Sequence, residues 1–216
     1  MLRPLALICA CFALLAAPAS AATVQDLKPC YVSAGRADTA RETILIRGSD
    51  FTQVSTVEVL FDGVPVGSAP TGSIGEFRLE LPAPFQRAGE RALVVTVRDA
   101  ANQVDKTTRV TNLALTVKPH RRVSPARRVR FRGRGFTQDA PVFAHYLYGG
   151  QEQRTVRFAR GPSGPCGTFS VKRRLIPVAN ARSGQWLMQV DQKRVYSPKP
   201  DPVWVRRPID VTDVFG

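Results

Sequence analysis

The chain contains two similar short segments, Arg47-Gly48-Ser49-Asp50-Phe51-Thr52-Gln53 and Arg132-Gly133-Arg134-Gly135-Phe136-Thr137-Gln138. Each follows an alternating apolar run, at residues 43–46 in the first copy and 129–131 in the second, and each precedes more sequence of the same kind. Self-similarity of this type is the signature of a duplicated structural unit. We therefore expect two copies of one fold in tandem.

Further landmarks recur in the same order after each segment. Gly75-Glu76-Phe77 corresponds to Gly167-Thr168-Phe169, and Arg87-Ala88-Gly89 corresponds to Arg182-Ser183-Gly184. The second copy is longer between its first two landmarks. We expect the additional residues to include Gly161-Pro162-Ser163-Gly164-Pro165, whose composition is typical of a loop.

Hydrophobic periodicity predicts β-strands along the whole chain. Apolar and polar residues alternate at residues 57–61, 77–81, 93–97 and 186–190, which gives each segment one inward face. The chain has 17 prolines, many between these segments, and nothing after residue 22 reads as a helix of normal length. Because an immunoglobulin-type sandwich takes about 100 residues, we predict an all-β protein of two tandem immunoglobulin-like β-sandwich domains.

The beginning of the chain is typical of a secretory signal peptide. Arg3 precedes an apolar run at residues 5–17, and small residues suited to cleavage follow at 19–22. The apolar run is about 13 residues, shorter than the roughly 20 of a membrane-spanning helix, and nothing comparable recurs. We predict a cleaved signal peptide at residues 1–22, no transmembrane segment, and a secreted or cell-envelope protein.

Charge is distributed unevenly between the two expected domains. Residues 23–115 contain 10 Lys and Arg against 11 Asp and Glu, whereas residues 116–216 contain 20 against 6. We predict a near-neutral first domain at residues 23–117 and a strongly basic second domain at 118–216, with the linker near residues 112–123. Codon bias toward Arg is an alternative explanation of the charge, but it should affect both halves similarly.

The apolar strand, the Gly-x-x-Phe or Gly-x-Gly-Phe motif, the further strands and the late Gly resemble bacterial immunoglobulin-like repeats of the IPT/TIG type. Gly48-Ser49-Asp50-Phe51 and Gly133-Arg134-Gly135-Phe136 carry this resemblance. The second half also resembles poorly characterised exported proteins of GC-rich bacteria. The resemblance implies binding or spacer modules at cell surfaces, and fold alone does not assign a ligand.

Two of the four cysteines, Cys9 and Cys11, lie in the expected signal peptide. The other two are Cys30 and Cys166, and an exported chain can hold a disulfide. A bond between them would tie the start of the first domain to the middle of the second. Two separate thiols are the alternative, because the sequence does not give the separation of the Cα atoms.

The sharpest feature is an arginine row. Strict alternation sends Val129, Phe131 and Gly133 to one face and the arginines to the other. The candidate polyanion-binding residues are Arg128, Arg130, Arg132 and Arg134, whose guanidinium forks can grip phosphate or carboxylate. A solvated edge strand protected from aggregation by its charge is the alternative.

Sequence motifs for catalysis or metal binding are missing. The chain has two histidines, and a nucleophilic pair of His145 and Cys166 has no supporting Asn or Asp signature. No Gly-x-Ser-x-Gly, His-Glu-x-x-His or Cys-x-x-Cys occurs. We expect that the protein is not an enzyme and that it has no catalytic residues, no cofactor and no metal site.

The expected partner is therefore an anionic cell-envelope polymer contacted by the basic second domain. The alternative is a structural module that binds another surface protein through His145-Tyr146-Leu147-Tyr148 or Pro202-Val203-Trp204. Specific nucleic-acid binding is not expected, because base stacking would need exposed aromatic residues beside the arginine row and Phe131 is predicted to point inward.

Overall fold

The computed structural model describes residues 21–33, 42–118, 124–198 and 203–211, and within them the chain forms strands and no helix. The expected signal peptide lies outside the described residues except for its last two positions. In the described part, no helix is long and apolar enough to cross a membrane.

The first sandwich consists of two sheets that enclose one apolar core. Its strands are β1 (Thr23–Val24), β2 (Tyr31–Ser33), β3 (Thr43–Ser49), β4 (Thr56–Phe61), β5 (Val64–Pro70), β6 (Phe77–Pro82), β7 (Glu90–Arg98) and β8 (Gln103–Asn112). One sheet has the order β1-β3-β6 and the other β2-β8-β7-β4-β5. All pairs are antiparallel except β2 with β8. Ile44 and Ile46 meet Val57, Val59 and the inward residues of β7 in the core.

The second sandwich repeats this plan. Its strands are β9 (Ala114–Lys118), β10 (Arg128–Arg134), β11 (Val142–Tyr148), β12 (Gln151–Ala159), β13 (Phe169–Arg174), β14 (Gly184–Asp191) and β15 (Trp204–Val211). The sheets have the orders β13-β10-β9 and β12-β11-β14-β15. Phe131, Tyr146 and Trp186 are the largest side chains in a separate core.

Strand order gives the fold class. In each sandwich, a strand of the smaller sheet (β3 or β10) is followed by two strands of the larger sheet, one of the smaller and two of the larger. Two antiparallel sheets with these crossing connections form an immunoglobulin-like sandwich. The prediction of two such domains in tandem is confirmed.

In both Gly-x-x-Phe motifs, the glycine packs directly against an aromatic ring. A Cβ on Gly48 would lie 2.4 Å from the ring of Phe77, and one on Gly133 would lie 2.0 Å from the ring of Phe169. The motif phenylalanines stack edge-on against these same rings, with centroids 5.4 Å apart for Phe51 and 5.2 Å for Phe136. Each glycine therefore leaves room for an aromatic pair that closes the end of its sandwich.

The two sandwiches divide earlier than the sequence predicted. Residues 114–118 form β9, which pairs with β10 from Ala114 opposite Arg134 to Lys118 opposite Arg130. The predicted boundary after residue 117 thus falls inside a strand of the second sandwich. The apolar residues change phase here, from Val104 and Val110 to Leu113, Leu115 and Val117, where the chain passes from the first core to the second.

Candidate functional site

Strand β10 displays the arginine row as its alternation predicts. Val129, Phe131 and Gly133 are buried, whereas Arg128, Arg130 and Arg132 are exposed and Arg134 is half-buried. Phe131 is completely buried against Phe158, with ring centroids 4.7 Å apart. The inward residues anchor β10 in the core, so the arginines project from a fixed strand.

The interpretation of β10 as an edge strand is wrong. It lies in the middle of its sheet, with β9 on one side and β13 on the other. Directly opposed residues of antiparallel strands point to the same face. Lys118 and Lys172 both oppose Arg130, and Arg174 opposes Arg128. Protection of a sheet margin therefore does not explain the row.

We call this outer surface of β9, β10 and β13 the basic face. Its cations are Arg128, Arg130, Arg132, Arg134, Lys118, Lys172 and Arg174. Three neighbouring strands supply them, whereas the sequence pattern indicated a single line. Because cross-strand pairing brings in Lys118, Lys172 and Arg174, the sequence pattern of β10 alone could not identify them.

Among the residues that the structure describes, no carboxylate forms an ion pair with a cation of the basic face. Among the described residues, every ion pair between Lys or Arg and a carboxylate lies in the first sandwich, at Lys28–Glu42, Arg78–Glu80, Arg91–Asp62, Arg98–Glu58, Lys106–Asp26 and Arg109–Glu90. Arg134 donates from Nη2 to the amide oxygen of Asn112 at 2.7 Å, which holds the guanidinium without cancelling its charge. The positive charge of the second sandwich is therefore available to an external anion.

Other basic residues of the second domain lie elsewhere. Arg157 belongs to β12 in the opposite sheet, and Arg173 opposes the inward Val129. Arg206 lies 4.7 Å from the ring centroid of Trp204 and donates to Gln189 Oε1. The basic face is thus a distinct patch and does not include every cation of the domain.

An open groove lies at one end of the basic face. It has a volume of about 450 Å³ and is lined by Arg132, Arg134, Thr116, Ser163, Thr168 and Ser170, among others. Ser163 and Thr168 exchange backbone hydrogen bonds of 2.8 Å in both directions, which closes a tight loop as one wall. Sequence reasoning missed the four hydroxyl-bearing residues, because Thr116 and Ser170 come from neighbouring strands and Ser163 and Thr168 come from the loop that joins β12 to β13.

Cys30 and Cys166 form a disulfide bond, with Cα atoms 5.1 Å apart and a sequence separation of 136. A polar contact accompanies it: Lys28 Nζ donates to Thr137 Oγ1 at 2.9 Å and to Glu42 Oε1 at 2.7 Å. Thr137 in turn donates to Glu42 at 2.9 Å. Both contacts join the first sandwich to the second beside the groove loop.

His145 and Cys166 do not form a nucleophilic pair. The cysteine is in the disulfide, and His145 is completely buried with other partners. Its Nδ1 lies 3.0 Å from Glu152 Oε1, and its Nε2 lies 3.3 Å from Asp191 Oδ1. Burial by itself would lower the pKa of His145, but hydrogen bonds to Asp191 and Glu152 outweigh it and raise the pKa. The imidazole lies between two carboxylates, which favours its protonated form, and it joins β11, β12 and β14.

The proposed protein-binding segment at residues 145–148 is also wrong. His145, Tyr146 and Leu147 are at most 2% exposed, so they cannot face a partner. Val203 is buried and Trp204 is half-buried under Arg206. Within the described ranges, no group of three or more His, Cys, Asp and Glu is placed to hold a metal ion.

No family model matches this chain, and no curated protein matches it. Among solved structures, the chain is similar to the human OSCAR ligand-binding domain at 12% identity and a TM-score of 0.34, over 89% of this chain and 98% of that one. It is similar to the titin Ig tandem A164-A165 at 9% identity and 0.28, over 88% and 95%. A beta-glucuronidase of Parabacteroides merdae is similar at 10% identity and 0.31, over 89% of this chain but 24% of the enzyme.

Proposed function

We propose that this protein is a non-enzymatic, secreted or cell-envelope-associated binding module whose basic face contacts an anionic surface polymer. The observation that carries the proposal is the collection of seven cations on one sheet surface without carboxylate partners among the described residues. The first sandwich, whose cations are largely paired, then acts as a spacer or as the site of a further contact.

The spacing of the basic face suits an extended ligand. Successive arginines on β10 stand about 6.8 Å apart, and neighbouring strands lie about 4.8 Å apart. A polymer with repeated negative charges can therefore meet several cations at once, along the strand or across the sheet. Arginine suits this role because its planar fork binds carboxylate or phosphate with two parallel hydrogen bonds.

The framework of the site supports binding with little rearrangement. The inward residues of β10 are buried in the core, and both neighbouring strands pair with it along most of its length. Such a surface does not have to be ordered when a ligand arrives, which reduces the entropic cost of association.

Retention on immobilised anionic polymers tests the proposal. The chain without its expected signal peptide would be applied to polygalacturonate and to polyphosphate and eluted with NaCl. The triple variant R128Q/R130Q/R132Q should elute at lower salt, with binding weaker by about tenfold and a shallower dependence on salt concentration.

The matched control is R154Q/R182Q/R194Q, which removes the same charge from exposed positions of the same sandwich outside β9, β10 and β13. It should elute close to the unmodified protein. Equal shifts for both triple variants would mean that net charge, and not the basic face, governs retention, and the proposal would then be rejected.

A further inference from the structure

The groove at the end of the basic face differs chemically from the rest of that surface. It combines Arg132 and Arg134 with the hydroxyl groups of Thr116, Ser163, Thr168 and Ser170. Its volume of about 450 Å³ lies within the roughly 300–1,000 Å³ of ligand clefts. Resting on the function proposed above, we propose that this groove is a subsite for one carboxylated sugar unit of an acidic polysaccharide.

The guanidinium groups provide the anion-binding end of the subsite. The side chain of Arg132 is exposed and makes no ion pair or hydrogen bond within the described part of the chain. Arg134 is fixed by Asn112 through Nη2, and its Nε is buried without a hydrogen-bond partner. Two cations, one without a side-chain partner among the described residues and one held by Asn112, thus line the groove.

The hydroxyl groups of the groove determine which kind of anion it can bind. Thr116 donates to the carbonyl oxygen of Arg132 at 3.5 Å, Thr168 to that of Ser163 at 3.1 Å, and Ser163 to that of Thr168 at 3.2 Å. Each of these three hydroxyls has an acceptor within the protein and keeps a lone pair to which a ligand hydroxyl can donate. The hydroxyl of Ser170 makes no hydrogen bond among the described residues and can donate to a ligand.

A sugar carboxylate matches this pattern better than a phosphate chain. Ionised phosphate and sulfate groups present only acceptor oxygens, so they cannot donate to the lone pairs of Thr116, Ser163 and Thr168. A uronate unit carries a carboxylate for the guanidinium groups and ring hydroxyls that donate to those lone pairs. The groove therefore favours a ligand with both functions within one small unit.

The insertion of the second sandwich holds one wall of the groove in place. Ser163 and Thr168 close the loop by two backbone hydrogen bonds, and Cys166 between them is tied to Cys30. The first sandwich has a shorter connection at the matching position, residues 71–76 between β5 and β6. A wall fixed from both sides supports selection by shape as well as by charge.

Short ligands distinguish binding in the groove from binding to the basic face. Isothermal titration calorimetry would compare trigalacturonate with tripolyphosphate and with a neutral glucose trimer. We expect the unmodified protein to bind trigalacturonate at least tenfold more tightly than either of the others. Equal or tighter binding of tripolyphosphate would overturn the subsite while leaving the basic face intact.

The S170W variant fills the groove from an exposed strand position that accepts an aromatic residue. It should lose trigalacturonate binding by at least tenfold. The matched control, S68W, places tryptophan on the exposed strand β5 of the first sandwich and should bind like the unmodified protein. Circular dichroism would verify that both variants are folded.

These experiments distinguish a failure of the subsite proposal from a failure of the polymer-binding proposal. If S170W binds trigalacturonate as the unmodified protein does, the groove assignment is wrong, whatever the polymers show. If the groove binds the trimer while neither polymer retains the protein, the polymer-binding function is wrong and the subsite stands.

Discussion

Gly133 lies against Phe169 so closely that a Cβ on the glycine would be 2.0 Å from the ring carbon Cε1, with the ring of Phe136 at 2.7 Å. Two aromatic rings limit the space from both sides, so neither can move away without disturbing the other. We predict that G133A lowers the free energy of unfolding by about 1–3 kcal/mol, because overpacking forces side chains from their preferred positions.

Urea unfolding followed by tryptophan fluorescence would measure this loss. G161A is the control, because a Cβ there meets nothing within 4 Å and the glycine has no positive φ. It should leave the unfolding midpoint nearly unchanged. A G133A protein as stable as G161A would show that the aromatic pair adapts and that the motif is not required for packing.

Removal of the disulfide should destabilise the protein substantially. Replacing Cys30 and Cys166 with alanine frees a loop of 136 residues in the unfolded chain. We expect C30A/C166A to lose about 2–5 kcal/mol of stability under oxidising conditions, chiefly because its unfolded state gains entropy. In a strong reductant, the variant and the unmodified protein should unfold at similar urea concentrations.

The polar contact between the sandwiches should stabilise the folded protein through Glu42. Its side chain is 8% exposed and accepts hydrogen bonds from Lys28, from Thr137 and from the backbone N–H of Val32. We predict that E42Q costs about 1–3 kcal/mol, because it removes the charge from a largely buried set of donors. E80Q interrupts the exposed pair with Arg78 and should cost far less.

His145 should make stability depend on pH. Its pKa in the folded protein is raised above the ordinary value, so its contribution is fully present below about pH 6.5 and is lost as the pH rises through the raised value. Glu152 acts in the opposite sense. Hydrogen bonds to Thr155 and His145 outweigh the effect of burial and lower its pKa, so its contribution is lost in acid. We predict a stability maximum at mildly acidic pH.

Thermal unfolding between pH 4 and pH 9 would locate this maximum. In H145N the decline on the alkaline side should largely disappear. NMR titration of an H120N protein, in which His145 is the remaining histidine, should give a midpoint above 6.5. A midpoint at or below that value would contradict the buried imidazolium.

Much of this fold follows from local patterns. Period-2 alternation identified the strands, and the repeated Gly-x-x-Phe motif identified the duplication, because both depend on neighbouring residues. In β10 the alternation also predicted which side chains face outward.

Features that depend on strand pairing could not be predicted in this way. The central position of β10 and the addition of Lys118, Lys172 and Arg174 to its face are set by the register with β9 and β13. The environment of His145 depends on residues of three strands and the following loop. Tyr146 and Leu147 looked available for a partner because their strand is buried on both faces, a condition that alternation does not reveal.

The link between Cys30 and Cys166 also decides how the protein would respond to mechanical tension. A pull applied to the chain on either side of the pair passes through the sulfur atoms and bypasses residues 31–165. Strands β2 to β12, including β10 with its arginines, would carry none of that load, whereas β13, β14 and β15 would be exposed to it. The covalent link thus shields the first sandwich, apart from β1, from being pulled apart.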